Sequence, residues 1–360
     1  MSMFRWPLAL SLWWRPRPTA DRVAPPKPRP MADSVTRIAV APTPEAAAPV
    51  AEMIDATSPF FLWLLAQPMT APTAATAEVT AGDAALDEQA LSVLARLDEV
   101  IQSDPQRNAL LPRAPQVLPQ LMRSLRNDQY VSVEVAERIG KDAVLAADVI
   151  RAANGSQRGS REPIVELSQA VLSIGADHLR RVIAKSVLRP IFNVRGASLL
   201  ALAAPQIWIN AEFKARLCSA LAAAEGLDPL DGYLAGMLHD SGWTALLRAL
   251  DSLGLAAIET PRLTAPAMAQ ALAGRRDVLF CKLIRPWQLS MPLVAMADEI
   301  ESSGLAAAQS PLTLSLQRAH GLASLHALAC DARLPDGIDA TLMKLPPRMQ
   351  ASYLAVTRAG

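Results

Sequence analysis

The fold class is decided by the stretch KDAVLAADVIRAANGSQRGSREPIVELSQAVLSIGADHLRRVIAKSV, residues 141–187. Its apolar residues recur at the spacing of one helix face: Leu145, Val149, Ile150, Leu167, Ala170, Val171, Ile174, Leu179, Val182 and Ile183. Asp142 is a residue type that caps helix starts, and Gly155 and Gly175 are of the type that follows helix ends. The stretch therefore predicts three consecutive amphipathic helices.

The same periodicity continues from about residue 86 almost to the last residue. It predicts further helices at 207–224, 230–250, 265–284, 292–300 and 314–328. No run alternates apolar and polar residues as a half-buried strand does. We therefore expect an all-α fold, a multi-helix bundle without the fixed repeat that indicates a solenoid.

The first 85 residues differ from the rest in composition. Thirteen of the 29 prolines lie before residue 73, interleaved with alanine and threonine, and no sustained helical or strand period accompanies them. We expect a disordered Pro/Ala-rich tail at 1–85, a leading helix at 86–104, a helical domain at 105–330 and a carboxyl-terminal extension at 331–360.

Two apolar clusters interrupt the tail. Residues 6–14 are short, aromatic and flanked by arginines, which leaves a secretory signal as an alternative to a solvated segment. Residues 59–65 (PFFLWLL) are far fewer than the roughly 20 apolar residues that a membrane span needs. This second cluster predicts either a helix that docks on a partner or a segment that folds back on the domain.

Charge and cysteine content restrict the class of protein. Thirty-five lysines and arginines balance 34 acids, so the net charge of +1 provides no overall attraction to nucleic acid or to an anionic membrane. The three cysteines are far apart and form no C-x-x-C pair, which disfavours a zinc site and a disulfide framework. A reducing compartment, the cytoplasm, is the expected location.

Several ordered motifs together resemble the HDOD domain, a helical relative of the HD phosphohydrolases that is found in bacterial signalling proteins. They are LPxxPxV at 111–117, KDxxL at 141–145, RAANG at 151–155, AVxxIG at 170–175, Trp208, YLAGMLHDSG at 233–242 and WxL at 287–289. The resemblance covers about 105–330, and Pro292 comes two residues later than the family's W-x-L-P element would place it.

His239 and Asp240 are the pair that HD enzymes use, with another histidine and a distant aspartate, to hold a divalent metal. A metal needs at least three converging protein ligands. Where the resemblance implies an upstream histidine, this chain has Asn210, a weak ligand. We therefore predict a vestigial pair, with Asp240 bonded to a neighbouring helix and His239 donating to a backbone carbonyl, and no catalytic residue, metal or cofactor.

The remaining candidate ligands are weaker. Asp298 qualifies only if its helix faces His239, and residues 275–277 (RRD) stand where relatives carry histidines. His320 and His326 are six residues apart, too far round a helix to act as joint ligands. His178 is expected to be a surface or boundary residue.

A cluster of basic residues lies around the loop after Asn154 and on the helix after Gly175: Arg151, Arg158, Arg161, Arg180, Arg181, Lys185 and Arg189. Guanidinium groups bind phosphate in bidentate fashion, so this surface could bind a nucleotide second messenger or an acidic partner. The other interpretation is a solvated helix face. No aromatic residue interleaves with the cluster, which argues against nucleic acid.

Two functions of different class follow. The first, which the resemblance implies, is a non-catalytic signal-transduction module that contacts other signalling proteins. The alternative is a divergent metal-dependent phosphohydrolase, or a non-hydrolysing sensor, for a nucleotide or a cyclic dinucleotide.

Overall fold

The computed structural model describes residues 50, 54–66, 86–103, 110, 136, 139–156, 163–193, 198–254, 266–334 and 337–358. These residues form α-helices and one short 3-10 helix at Leu305–Ala307, and none of them lies in a strand. The helices are α1 (Thr57–Ala66), α2 (Glu88–Gln102), α3 (Ala143–Ser156), α4 (Leu167–Ile174), α5 (Ala176–Phe192), α6 (Leu199–Ala224), α7 (Pro229–His239), α8 (Ser241–Ser252), α9 (Pro266–Trp287), α10 (Met291–Ser303), α11 (Pro311–Cys330), α12 (Asp339–Leu342) and α13 (Pro347–Arg358). The all-α prediction is confirmed for the described residues.

The three helices expected from residues 141–187 are present as α3, α4 and α5. Asp142 caps α3 by accepting the amide protons of Val144 and Leu145. Gly175 separates α4 from α5 with φ of +74°, a backbone conformation that residues with a Cβ rarely adopt. Local residue chemistry therefore sets these two boundaries, whereas the helix end predicted at Gly155 was wrong, because α3 continues through Gly155 to Ser156.

Helix α6 is the centre of the bundle, where it packs against α5, α7, α8, α11, α13 and α1. Its closest neighbour is α7, whose Gly232 and Gly236 face the α6 backbone. A Cβ added at Gly236 would lie 2.7 Å from Ala215 Cα and 2.8 Å from the Lys214 carbonyl oxygen. Small residues are thus required where α7 crosses α6.

The helix predicted at 230–250 is two helices that meet at Asp240, so that prediction was wrong at one residue. Asp240 ends α7 and precedes α8. A Cβ at Gly242, at the start of α8, would lie 2.5 Å from the Arg276 carbonyl oxygen. The break at Asp240 turns the chain towards α9. The apolar period continues across Asp240, so the sequence pattern does not reveal the break.

Helix α6 begins eight residues earlier than the predicted 207–224. Ser198 caps its amino terminus, and the amide groups of Leu199 and Leu200 donate to Asp251 from α8. Because Asp251 is about 50 residues away in the sequence, this tertiary cap could not be recognised locally.

The apolar cluster at 59–65 folds back on the domain, as one of its two interpretations predicted. Within the tail predicted to be disordered, α1 is buried between α9, α11 and α6. Phe61 is fully buried and stacks on Trp243 at a centroid separation of 4.8 Å. The predicted tail therefore contains a segment of the core; residues 1–49, 51–53 and 67–85 are outside the described residues.

The carboxyl-terminal extension also packs on the domain. Helix α13 contacts α6, and the Tyr353 hydroxyl lies 2.8 Å from His326 Nδ1. No helix of the described ranges has both the length and the apolar character needed to cross a membrane.

Candidate functional site

The His239–Asp240 pair lies at the junction of α7 and α8, inside the bundle. Both side chains are fully buried. Two α6 residues one turn apart, Asn210 and Lys214, point at this junction and are also buried. The close approach of α7 and α6 at Gly236 brings the two sets together.

Both oxygens of the Asp240 carboxylate have donors. Lys214 Nζ is in ion-pair contact with Oδ1, and Asn210 Nδ2 donates to Oδ2 at 2.8 Å. Asp240 thus bonds a neighbouring helix, which agrees with the geometry expected for it.

His239 is engaged at both ring nitrogens. Its Nδ1 lies 3.2 Å from Lys214 Nζ, and its Nε2 lies 3.1 Å from Asp277 Oδ1 on α9. An ammonium group has no lone pair, so Nδ1 accepts its hydrogen bond and the Nε2 proton is donated to Asp277. The prediction that His239 donates to a backbone carbonyl was wrong: its acceptor is a carboxylate from α9.

A second cation completes the centre. Arg276 is 1% exposed; its Nη2 lies 2.6 Å from Asp277 Oδ1 and its Nη1 lies 3.1 Å from His320 Nε2. The Arg276 guanidinium also covers the Trp243 ring at 4.9 Å. His320 Nε2 is 3.0 Å from the Thr57 hydroxyl of α1, so the network extends from α6 to α1.

Burial and charge set the protonation states of the centre. Burial, and then the charges of Arg276 and Lys214, hold the pKa of His239 well below its usual range, so the imidazole is neutral. Burial lowers the pKa of Lys214 to about 8 against the opposing attraction of Asp240, so the ammonium persists at neutral pH. The centre therefore pairs two carboxylates, the fully buried Asp240 and the partly buried Asp277, with the two buried cations Lys214 and Arg276.

Part of the basic cluster predicted from the sequence converges on a cavity of about 260 Å³ between α3, α5 and α6. Arg151, Arg181, Lys185 and Arg189 line it, together with Arg216 from α6. Arg180 is not among the lining residues and pairs with Asp177 at 2.8 Å. Arg158 and Arg161 lie outside the described residues.

Residues 111–302, more than half of the chain, match the model of the HDOD domain family. The chain belongs to the HDOD family. The matched region lies within the helical domain predicted at 105–330. No curated protein matches the chain.

Comparison with solved structures finds two that are similar to this HDOD protein. One, a "putative metal-dependent phosphohydrolase" from Shewanella amazonensis, is 17% identical, with a TM-score of 0.50 over 76% of this chain and 99% of its own. The other, a "putative phosphohydrolase" from the same organism, is 20% identical, with a TM-score of 0.46 over 73% of this chain and 94% of its own. At such identities the first likeness shows the fold alone.

The metal that HD relatives imply does not fit the residues of this HDOD centre. The Lys214 ammonium occupies the space beside Asp240 Oδ1 and uses the lone pair of His239 Nδ1. Within the described ranges, no three His, Cys, Asp or Glu side chains are grouped so that they could hold a metal ion. Asp298 pairs with Arg285 at 2.8 Å and is not part of the centre.

Sequence reasoning missed the roles of Lys214, Arg276 and His320. The available signal was Asn210-x-x-x-Lys214, which places a lysine on the same side of α6 as the residue that replaces the expected histidine. The sequence pattern excluded His320 and His326 as joint ligands but gave no sign that the His320 ring lies beside His239, with the two ring centroids 5.0 Å apart. His326 instead stacks on Phe213, and the half-buried His178 lines the basic cavity.

Proposed function

We propose that this HDOD protein is a non-catalytic regulatory module that acts through contacts with other signalling proteins. The observation that carries the proposal is the Lys214 ammonium, which contacts both Asp240 and His239. In a metal-dependent hydrolase this carboxylate and this lone pair would be directed at a cation that activates water. Here they are directed at a side chain of the protein.

Three further features support the proposal. Asn210 donates an amide proton to Asp240, and its amide group is a weaker metal ligand than the imidazole that the resemblance implies at this position. Both nitrogens of His239 are engaged, so coordination of a metal through either nitrogen would require a hydrogen bond to break. The Arg276 guanidinium adds a second positive charge that repels a divalent cation.

The family and the expected location both support the proposal. The family that the chain resembles is found in bacterial signalling proteins. The free cysteines Cys218, Cys281 and Cys330 are compatible with a reducing cytoplasm. A module without chemistry of its own would transmit a signal by binding, and a ligand that changes its surface would make it a non-hydrolysing sensor.

The enzyme alternative is tested by hydrolysis assays on the purified full chain. Bis(p-nitrophenyl) phosphate and a cyclic dinucleotide are offered with Mg²⁺, Mn²⁺ or Fe²⁺. We expect the same background rate for the wild-type protein and for Asp240→Asn. Metal-stimulated turnover that Asp240→Asn abolishes would establish the phosphohydrolase instead.

The protein-contact part is tested by affinity capture from the native host, with each recovered protein then purified and titrated against the chain. The capture is repeated with residues 1–49 removed, a truncation that retains the buried helix α1. We expect at least one partner whose binding is reproduced with two purified components. If no captured protein binds directly in that titration, the adaptor role is wrong.

A further inference from the structure

The cavity between α3, α5 and α6 has an unbalanced positive charge. Five cationic side chains line it, and its acidic residues are Asp148 and Glu212. Asp148 accepts from Arg151 at 2.7 Å and from the Ser186 hydroxyl. Glu212 pairs with Lys185. The two acids are therefore already neutralised by two of the five cations.

The other three cations have no carboxylate partner among the described residues. They are Arg181 and Arg189 from α5 and Arg216 from α6. Arg216 Nε is buried without a hydrogen-bond partner, although its Nη1 lies 3.4 Å from the Val356 carbonyl oxygen. Leaving a buried donor on a charged group unpaired costs free energy, which an anion placed in the cavity would recover.

We infer that this cavity binds the phosphate group of a small phosphorylated ligand. Guanidinium groups present paired donors whose spacing matches the oxygens of a phosphate, and three of them converge here from two helices. A bound ligand would be the signal that the proposed regulatory module senses, and only this role of the ligand rests on the proposed function. Binding itself is tested without any partner protein.

A neighbouring groove of about 680 Å³ would hold the organic part of the ligand. It shares His178, Glu212 and Arg216 with the basic cavity, so the two spaces adjoin. Its volume lies within the range of small-molecule sites. Phe213, Ala323 and Ala327 provide apolar lining.

Asn210 is among the residues that line this groove, and its amide oxygen is an unused acceptor. The residue is 3% exposed, its amide nitrogen is bonded to Asp240, and its Oδ1 has no hydrogen-bond partner. A ligand that places an O–H or N–H group there would satisfy it. The chemistry therefore selects a phosphate ester of a hydroxyl- or amine-bearing group, which a nucleotide or a sugar phosphate could supply.

Calorimetric titration of the purified full chain at low ionic strength tests the inference. The probes are inorganic pyrophosphate, ribose 5-phosphate, guanosine 5′-monophosphate and a cyclic dinucleotide. We expect Arg181→Ala and Arg216→Ala each to weaken binding about tenfold, the effect of one lost charge-assisted hydrogen bond. Arg180→Ala, the matched control next to Arg181 but outside the cavity, should bind like the wild type. Thermal unfolding verifies that each variant is folded.

The groove is tested separately with Ala327→Phe, which fills it, and with Ala329→Phe, which is not among its lining residues. Only Ala327→Phe should weaken binding of the organic phosphates, and neither should affect pyrophosphate. Absence of binding by every probe, or equal losses in Arg180→Ala and Arg181→Ala, would overturn the phosphate site. Unchanged binding of all probes in Ala327→Phe would overturn the groove while the phosphate site stands.

Discussion

Lys214 carries its charge in a part of the molecule where a charge requires a partner. Desolvation of an ammonium group costs several kcal/mol, and the contact with Asp240 offsets it only while both groups are present. The Asp240 carboxylate has the same requirement, because it too is fully buried. The two side chains therefore depend on each other, and this dependence can be measured.

Lys214→Met removes the cation and leaves Asp240 buried without a counter-charge. We expect a loss of about 3–5 kcal/mol in the free energy of unfolding, measured by chemical denaturation. Combining it with Asp240→Asn should recover part of that loss, with a coupling of about 1–3 kcal/mol in the double-mutant cycle. Additive losses would show that the pair does not interact.

At the scale of the helix, the crossing of α7 over α6 positions the His–Asp pair. Gly236→Ala would force a methyl group to within 3 Å of the α6 backbone beside Lys214. We expect a loss of about 1–3 kcal/mol or more. The matched control is Gly274→Ala in α9, where a Cβ would have no neighbour within 4 Å and should instead stabilise the helix by about 0.5–1 kcal/mol. Equal changes in the unfolding temperatures of Gly236→Ala and Gly274→Ala would contradict the close crossing of α7 and α6.

A second helix-scale contact is the cap that Glu299 of α10 provides for α11. Its carboxylate accepts from the Gln309 and Ser310 amides and from the Thr313 hydroxyl. Burial raises the pKa of Glu299, but these hydrogen bonds outweigh burial and hold the pKa below 4.5. The stabilisation is therefore present above pH 4.5 and is lost as the pH falls through the folded-state pKa.

We expect Glu299→Gln to lower stability at pH 7 by about 0.5–2 kcal/mol, as for the loss of a helix cap. The difference from the wild type should shrink as the pH falls below 4.5. Glu301→Gln, on the same helix but in an exposed ion pair with Arg285, should stay within about 0.5 kcal/mol of the wild type. A pH-independent deficit in Glu299→Gln would refute the capping role.

At the scale of the whole molecule, α1 packs on helices of the bundle that are far away from it in the sequence. Phe61 fills the space above Trp243, while Thr57 and Trp63 bond His320 and Asp331 of the α11 region. Phe61→Ala should cost about 3–5 kcal/mol. Leu62→Ala, which removes a partly buried side chain from the same helix, should cost clearly less. Similar midpoints of guanidinium denaturation for Phe61→Ala and Leu62→Ala would show that α1 is not part of the core.

Prediction from the sequence succeeded where a residue's own neighbours determine the structure. Gly175 and Asp142 specify helix ends locally, and apolar periodicity is sufficient for the all-α class. It failed where the partner is distant. A lysine within an apolar helix is normally interpreted as solvent-facing, and only the fold shows that Lys214 points at Asp240. The same reason explains the missed Asp251 cap and the missed Arg276–His320 contact.

The central claim is that Lys214 supplies the positive charge beside Asp240 that a metal supplies in a hydrolytic centre. Elemental analysis tests it most directly, with the full chain purified from medium supplemented with manganese, iron and zinc. We predict far less than one equivalent of any of these metals per chain, unchanged in Asp240→Asn. A stoichiometric metal that Asp240→Asn releases would contradict the claim.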